Sequence, residues 1–165
     1  MKNAKTKIKA PVRGIRIGEL LVRQGVLTEQ QVQQVLDEQK RIGRPFGDLA
    51  ERMFNVSPDA VEKAWVDQYV TYSTEVDLEK QKFDVRTLKT INRRQAWQFR
   101  MLPIRRENDE MVAATCQDHL RRAVNFAWRH LDEPIYFLIA GRPQLEEFLM
   151  EHYPWPAALK LPAAG

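Results

Sequence analysis

Apolar residues in the first part of the chain recur at helical spacing, and their pattern is interrupted by turn formers at regular places. Ile17, Leu20 and Leu21 fall on one side of a short helix that Gly25 ends, since glycine takes a left-handed cap at no steric cost. Thr28 followed by Gln31 is a capping-box pattern, and Val32, Val35, Leu36 and Gln39 then share one face of a longer helix that runs to Gly43. The plan then repeats. Phe46, Leu49, Ala50 and Met53 mark a second short helix, Asn55 a permissive turn, and Ser57 with Pro58 the start of a second long helix lined by Val61, Ala64, Trp65 and Gln68.

After Tyr69 the period changes from helical to alternating. Thr71 to Val76 predicts a strand, Asp84 and Asn92 each cap a short helix, and two apolar runs, Met101–Arg105 and Met111–Thr115, flank a polar turn as a hairpin does. Leu120–Leu131 predicts an amphipathic helix, Ile135–Ala140 the most apolar strand, and Gly141 with Pro143 the start of a last helix carrying Leu145, Phe148 and Leu149. The expected fold class is α+β: an N-terminal four-helix subdomain at 16–70, followed by a small α/β sandwich-like subdomain at 71–153. A basic flexible leader at 1–15 and a proline-broken tail at 154–165 complete the expected division.

The two helical pairs are copies of one unit. A shift of 29 positions places Gly18 on Gly47, Leu20 on Leu49, Arg23 on Arg52, Val32 on Val61 and Gln39 on Gln68. Each copy is 24 residues long, Arg16–Gln39 and Pro45–Gln68, with five residues between them. Two units are too few for a solenoid, which needs at least three stacked repeats to bury a continuous core.

The first copy, RIGELLVRQGVLTEQQVQQVLDEQ, resembles the RLGxxLVxxGxxxxxxLxxxLxxQ motif of the N-terminal cyclic di-GMP-binding domain (MshEN type) of type II secretion and type IV pilus assembly ATPases. Arg16, Gly18, Leu21, Val22, Gly25, Leu36 and Gln39 match it outright. The second copy departs from it, with Pro45 for Arg, Ala50 and Glu51 for Leu-Val, Phe54 for Gly and Trp65 for Leu. A fainter resemblance continues through Val76-Asp77-Leu78 and Val112 to Asp118, so that it covers about Arg16 to Tyr153.

The resemblance implies a cyclic di-GMP receptor domain whose two motifs each take one half of a two-fold ligand, and which signals to a partner protein. The implied partner is a secretion or pilus ATPase or a polysaccharide-export machine. The implied ligand-binding residues are Arg16, Ile17, Gly18, Leu27, Val32, Leu36 and Gln39 from the first copy. Phe46, Gly47, Val56, Val61, Trp65 and Gln68 come from the second, and Asp118 from further along. The residue types suit such a ligand. An arginine donates a bidentate pair to guanine O6 and N7 or to a phosphate, a glycine admits backbone close to a ligand, and apolar side chains cover purine faces. Each position also has a plainer reading: the glycines as sites of tight helix packing, the apolar stripe as core, Trp65 as core filler, Asp118 as a helix cap.

Composition narrows the alternatives. A formal charge of +4 and an isoelectric point near 9.3 suit an anionic partner, but beyond the first 13 residues basic and acidic residues alternate. Nucleic-acid binding thus rests on charge alone, and no DNA partner is expected. No apolar run is long enough to span a membrane, and with one cysteine, Cys116, and no signal-peptide pattern, the cytoplasm is the expected compartment. None of the seven glycines forms a phosphate-binding G-x-x-x-x-G-K-[ST] loop, and the three histidines lack companions at metal-ligand spacing. No enzymatic activity, cofactor or metal is expected. The competing reading is a protein-docking adaptor that has kept this fold and lost the ligand.

Overall fold

The computed structural model describes residues 14–60 and 75–156. Four strands form one mixed sheet in the order β1-β4-β3-β2: β1 Gly14–Arg16, β2 Leu102–Glu107, β3 Glu110–Thr115 and β4 Ile135–Ile139. β1 runs antiparallel to β4, β4 parallel to β3, and β3 antiparallel to β2. The helices are α1 Ile17–Arg23, α2 Glu29–Ile42, α3 Phe46–Phe54, α4 Val85–Leu88, α5 Arg93–Phe99, α6 Leu120–His130 and α7 Arg142–His152. A further helical turn is described at 58–60.

Local chemistry sets most of these boundaries. Gln24 closes α1 and Gly25 follows at φ 68°, while α2 ends at Gly43 with φ 62°, both left-handed. The capping box at the start of α2 is complete, with Thr28 Oγ1 accepting from Gln31 N and Gln31 Oε1 accepting from Thr28 N. Asn92 and Gln95 repeat it at α5. Asn108 and Asp109 both have positive φ, 52° and 62°, as a two-residue turn needs when its twist must match that of the flanking strands. Pro103, which has no N–H for a ladder, sits beside an irregularity in β2, an edge strand of the sheet.

All five residues of β4 are buried, although successive side chains point to opposite faces, so both faces of the sheet are covered. α7 packs on β2 and β3, α4 on β2, and α3 on α6. One continuous core results, running from Leu20 and Leu21 through Phe137 to Leu145 and Leu149.

Two expectations change, and a third is described only at its end. Gly14 and Ile15, expected in the leader, belong to β1, because Gly14–Arg16 pairs with Tyr136, Phe137 and Leu138 and gains ladder hydrogen bonds by doing so. The start of the expected tail is packed: the Trp155 ring lies 5.8 Å from that of Trp97, and Arg93 donates to the Pro154 carbonyl at 3.2 Å. The strand expected at Thr71 to Val76 falls largely outside the described residues, and Val76 contributes a single bridge to Ala140.

Candidate functional site

The first motif copy does not fold by itself into a helical unit. Its leading residue, Arg16, ends β1 and immediately precedes α1, directly opposite Tyr136 on β4. From there the guanidinium lies over the Tyr136 ring, 4.6 Å from its centroid. It reaches Glu110 at the head of β3, with Nε donating to Oε1 at 3.1 Å and to Oε2 at 3.2 Å. Nη1 donates to Glu19 on α1 at 3.0 Å. Burial works against the charge of Arg16, but the two carboxylates outweigh it and hold its pKa above the usual arginine value. Burial likewise pushes the Tyr136 phenol up to about 12.

Beside this cluster is a cavity of about 220 Å³. Its walls come from both parts of the chain: Arg16, Ile17, Gly18, Glu19, Val32, Leu36 and Phe46 from the repeat, and Glu110, Ala127, Glu133, Pro134 and Ile135 from the rest. Six of the expected ligand-binding residues therefore meet at one place: Arg16, Ile17, Gly18, Val32, Leu36 and Phe46. Phe46 belongs to the second copy yet closes the cavity of the first. Glu133 is fixed by Arg106, whose Nε and Nη2 donate to its two oxygens at 2.8 and 2.6 Å.

The other expected residues that the structure describes do not line this cavity. Leu27 and Val56 are core, each 4% exposed. Gln39 is 1% exposed, and neither atom of its amide has a hydrogen-bond partner among the described residues. Val61, Trp65 and Gln68 lie outside the described residues. Asp118 does not line the cavity, and the helix-cap reading fails as well: α6 begins after His119 without a side-chain cap, and Asp118 lies instead 3.8 Å from Arg142.

The two glycines at equivalent motif positions serve packing. A Cβ on Gly18 would come within 2.4 Å of Val32 Cγ1, so this glycine lets α1 and α2 meet at the cavity wall. On Gly47 it would come within 1.8 Å of Trp128 Nε1, so here α6 is what approaches. Around the second copy there is a wider and more open depression of about 490 Å³, lined by Pro45, Asp48, Glu51, Pro58, Trp128 and Arg129. It lacks the first cavity's arginine at the motif position.

Glu19, Glu110, Ala127, Glu133, Pro134 and Ile135 were not expected at the site. Glu110 reads in the sequence as a turn residue, and only the pairing of β1 beside β4 carries Arg16 to it. Among the described residues no cluster of three or more His, Cys, Asp or Glu is arranged to hold a metal ion, and no helix is long and apolar enough to cross a membrane.

No protein-family model matches the sequence, and no curated protein matches it. Among solved structures the chain is similar to that of MshE with cyclic di-GMP, at 26% identity, covering 84% of this chain and 99% of that one, with a TM-score of 0.43. It is also similar to the N-terminal domain of XpsE, at 19% identity over 84% of this chain and 93% of that one, TM-score 0.39. A second crystal form of XpsE matches at 18% identity with the same TM-score.

Proposed function

We propose that this chain is a cyclic di-GMP receptor domain that signals to a partner protein. The observation that carries the reading is the cavity itself. Residues selected from a 24-residue motif for their chemistry gather around one enclosed space, apolar on its walls and charged at one end. Ligand pockets are commonly built this way, with apolar walls and a few placed polar groups. Arg16 is held on its Nε side by Glu110, a partly buried partner, whereas its Nη1 bond goes to Glu19, which is 52% exposed. An exposed pair of that kind contributes little, so it is the one that yields to a ligand oxygen.

The route to a partner follows from the walls. Because β1, α1 and α2 face β3, α6 and the start of β4 across the cavity, a ligand filling it alters the fit between the repeat and the rest of the chain. A secretion or pilus ATPase, or a polysaccharide-export machine, would read that change.

Isothermal titration of the purified chain with cyclic di-GMP tests the proposal. A saturable isotherm is expected, and Arg16→Ala should weaken it roughly five- to 150-fold, as loss of one good charged contact of about 1 to 3 kcal/mol does. The docking-adaptor reading is favoured by one observation, the indole of Trp128 filling the space beside Gly47. That reading takes over if the folded parent gives no heat with cyclic di-GMP.

A further inference from the structure

Three carboxylates, Glu19, Glu110 and Glu133, line the first cavity with Arg16, and Glu110 marks the end where Arg16 is bound. Glu110 has a side chain only 18% exposed, and Arg16 Nε is shared between its two oxygens at 3.1 and 3.2 Å. That hold fixes the carboxylate in place and leaves each oxygen a further lone pair, which is an acceptor and nothing else. Whatever part of a ligand faces Glu110 must donate hydrogen bonds. A phosphate, itself an anion, is repelled from this end.

Building on the cyclic di-GMP reading, we propose that the cavity encloses one guanine base and that Glu110 reads its N1–H and N2–H edge, so that Glu110 is the residue that selects guanine over adenine. Guanine presents two adjacent donors along that edge, which match the two oxygens of one carboxylate. Adenine presents one donor beside the acceptor N1, and that lone pair would face an anion. Ile17, Val32, Leu36 and Phe46 supply apolar walls for the ring faces. The size agrees: about 220 Å³ is below the roughly 300 to 1,000 Å³ of pockets that enclose drug-sized ligands, which suits one base and leaves the phosphates outside. Arg16 has a second duty here as a positioning residue, since its charge makes a half-buried Glu110 tolerable.

The experiment is a calorimetric titration of the whole chain with cyclic di-GMP, cyclic di-AMP and the cyclic dinucleotide of inosine, whose base lacks the N2 amine. For the parent, the inosine ligand should bind roughly tenfold more weakly than cyclic di-GMP, and cyclic di-AMP at least about 100-fold more weakly, because a buried acceptor would be left unpaired. Glu110→Gln, which has both a donor and an acceptor, should bring cyclic di-AMP to within about tenfold of cyclic di-GMP. General loosening of the fold would weaken both ligands and leave that ratio alone. Equal binding of the inosine and guanine ligands by the parent overturns the proposal without touching the receptor reading, and needs no variant to fold. A folded Glu110→Gln that keeps the parental ratio overturns it too. Absence of any cyclic di-GMP binding by the parent overturns both.

Discussion

Arg16 is tied into the structure more firmly than a residue reserved for a ligand would be. If the side chain served a ligand alone, Arg16→Ala would leave the fold untouched. In the structure the substitution strands Glu110 at 18% exposure and removes the cation from the Tyr136 face. The expected cost is about 1 to 3 kcal/mol, between that of an exposed and a buried ion pair, and it should appear as a lower thermal midpoint for a chain that still folds cooperatively. Gln39 predicts a change of the opposite sign. Its buried amide has two unpartnered atoms, so Gln39→Met, similar in shape and without the polar group, should raise stability by about 1 kcal/mol in a chemical denaturation series. An unchanged or lower midpoint would mean that the amide is satisfied in solution. At Gly47 the prediction is a penalty, since an added methyl meets the Trp128 indole ring, which is itself 3% exposed. Gly47→Ala should cost about 1 to 3 kcal/mol or more, as overpacking a core does.

At the level of elements, short helices lean on single caps. α4 has four residues, and Asp84 holds its start by accepting from Thr87 Oγ1 at 2.6 Å and Thr87 N at 2.9 Å. Asp77 accepts from Gln144 Nε2 at 2.8 Å and Glu79 N at 3.0 Å, joining the segment after the repeat to α7. The Thr87 hydroxyl for Asp84, and the Gln144 amide for Asp77, followed in each case by a backbone N–H, lower both carboxyl pKa values below the usual range. A lowered folded-state pKa means that the unfolded chain binds the proton more readily. The stabilisation is therefore complete above about pH 4 and is lost as pH falls through the folded values. Thermal midpoints should drop as pH falls below about 4, and the drop should be shallower in a chain carrying both Asp77→Asn and Asp84→Asn. Parallel curves for parent and variant would remove these two groups from the acid response.

For the whole molecule, the cavity's double origin predicts linkage between binding and global stability. A ligand that contacts both walls binds only the assembled chain, so cyclic di-GMP at 100 times its dissociation constant should add about 2.7 kcal/mol and raise the thermal midpoint. Hydrogen exchange should slow at β1 and at the head of β3 together, since Arg16 and Glu110 meet across β4. Slowing confined to α1 and α2 would place the ligand on the repeat alone.

The first three helices of the repeat, the hairpin, the strand after α6 and the last helix were legible in the sequence because local chemistry specifies them. Gly25, Gly43 and Asn55 tolerate φ near 60° because of what they themselves are, and Thr28 caps α2 through a residue three positions away. Six cavity residues were legible for a related reason: Arg16, Ile17, Gly18, Val32, Leu36 and Phe46 belong to a motif whose spacing is itself local. Distant partners were not. Glu110 is 94 residues from Arg16, and nothing near either one in sequence signals their pairing. It arises because β1 adds to β4, which turns two residues of the expected leader, Gly14 and Ile15, together with Arg16 into an edge strand. The repeat suggested one half-site per motif, but equivalence in sequence does not fix what packs opposite. Gly18 meets Val32 of its own copy, whereas Gly47 meets Trp128 from α6, because α6 packs on α3, the helix that carries Gly47. Sequence determined the parts and the chemistry they carry; which parts face one another was decided by burial of a shared core, a property of the whole chain.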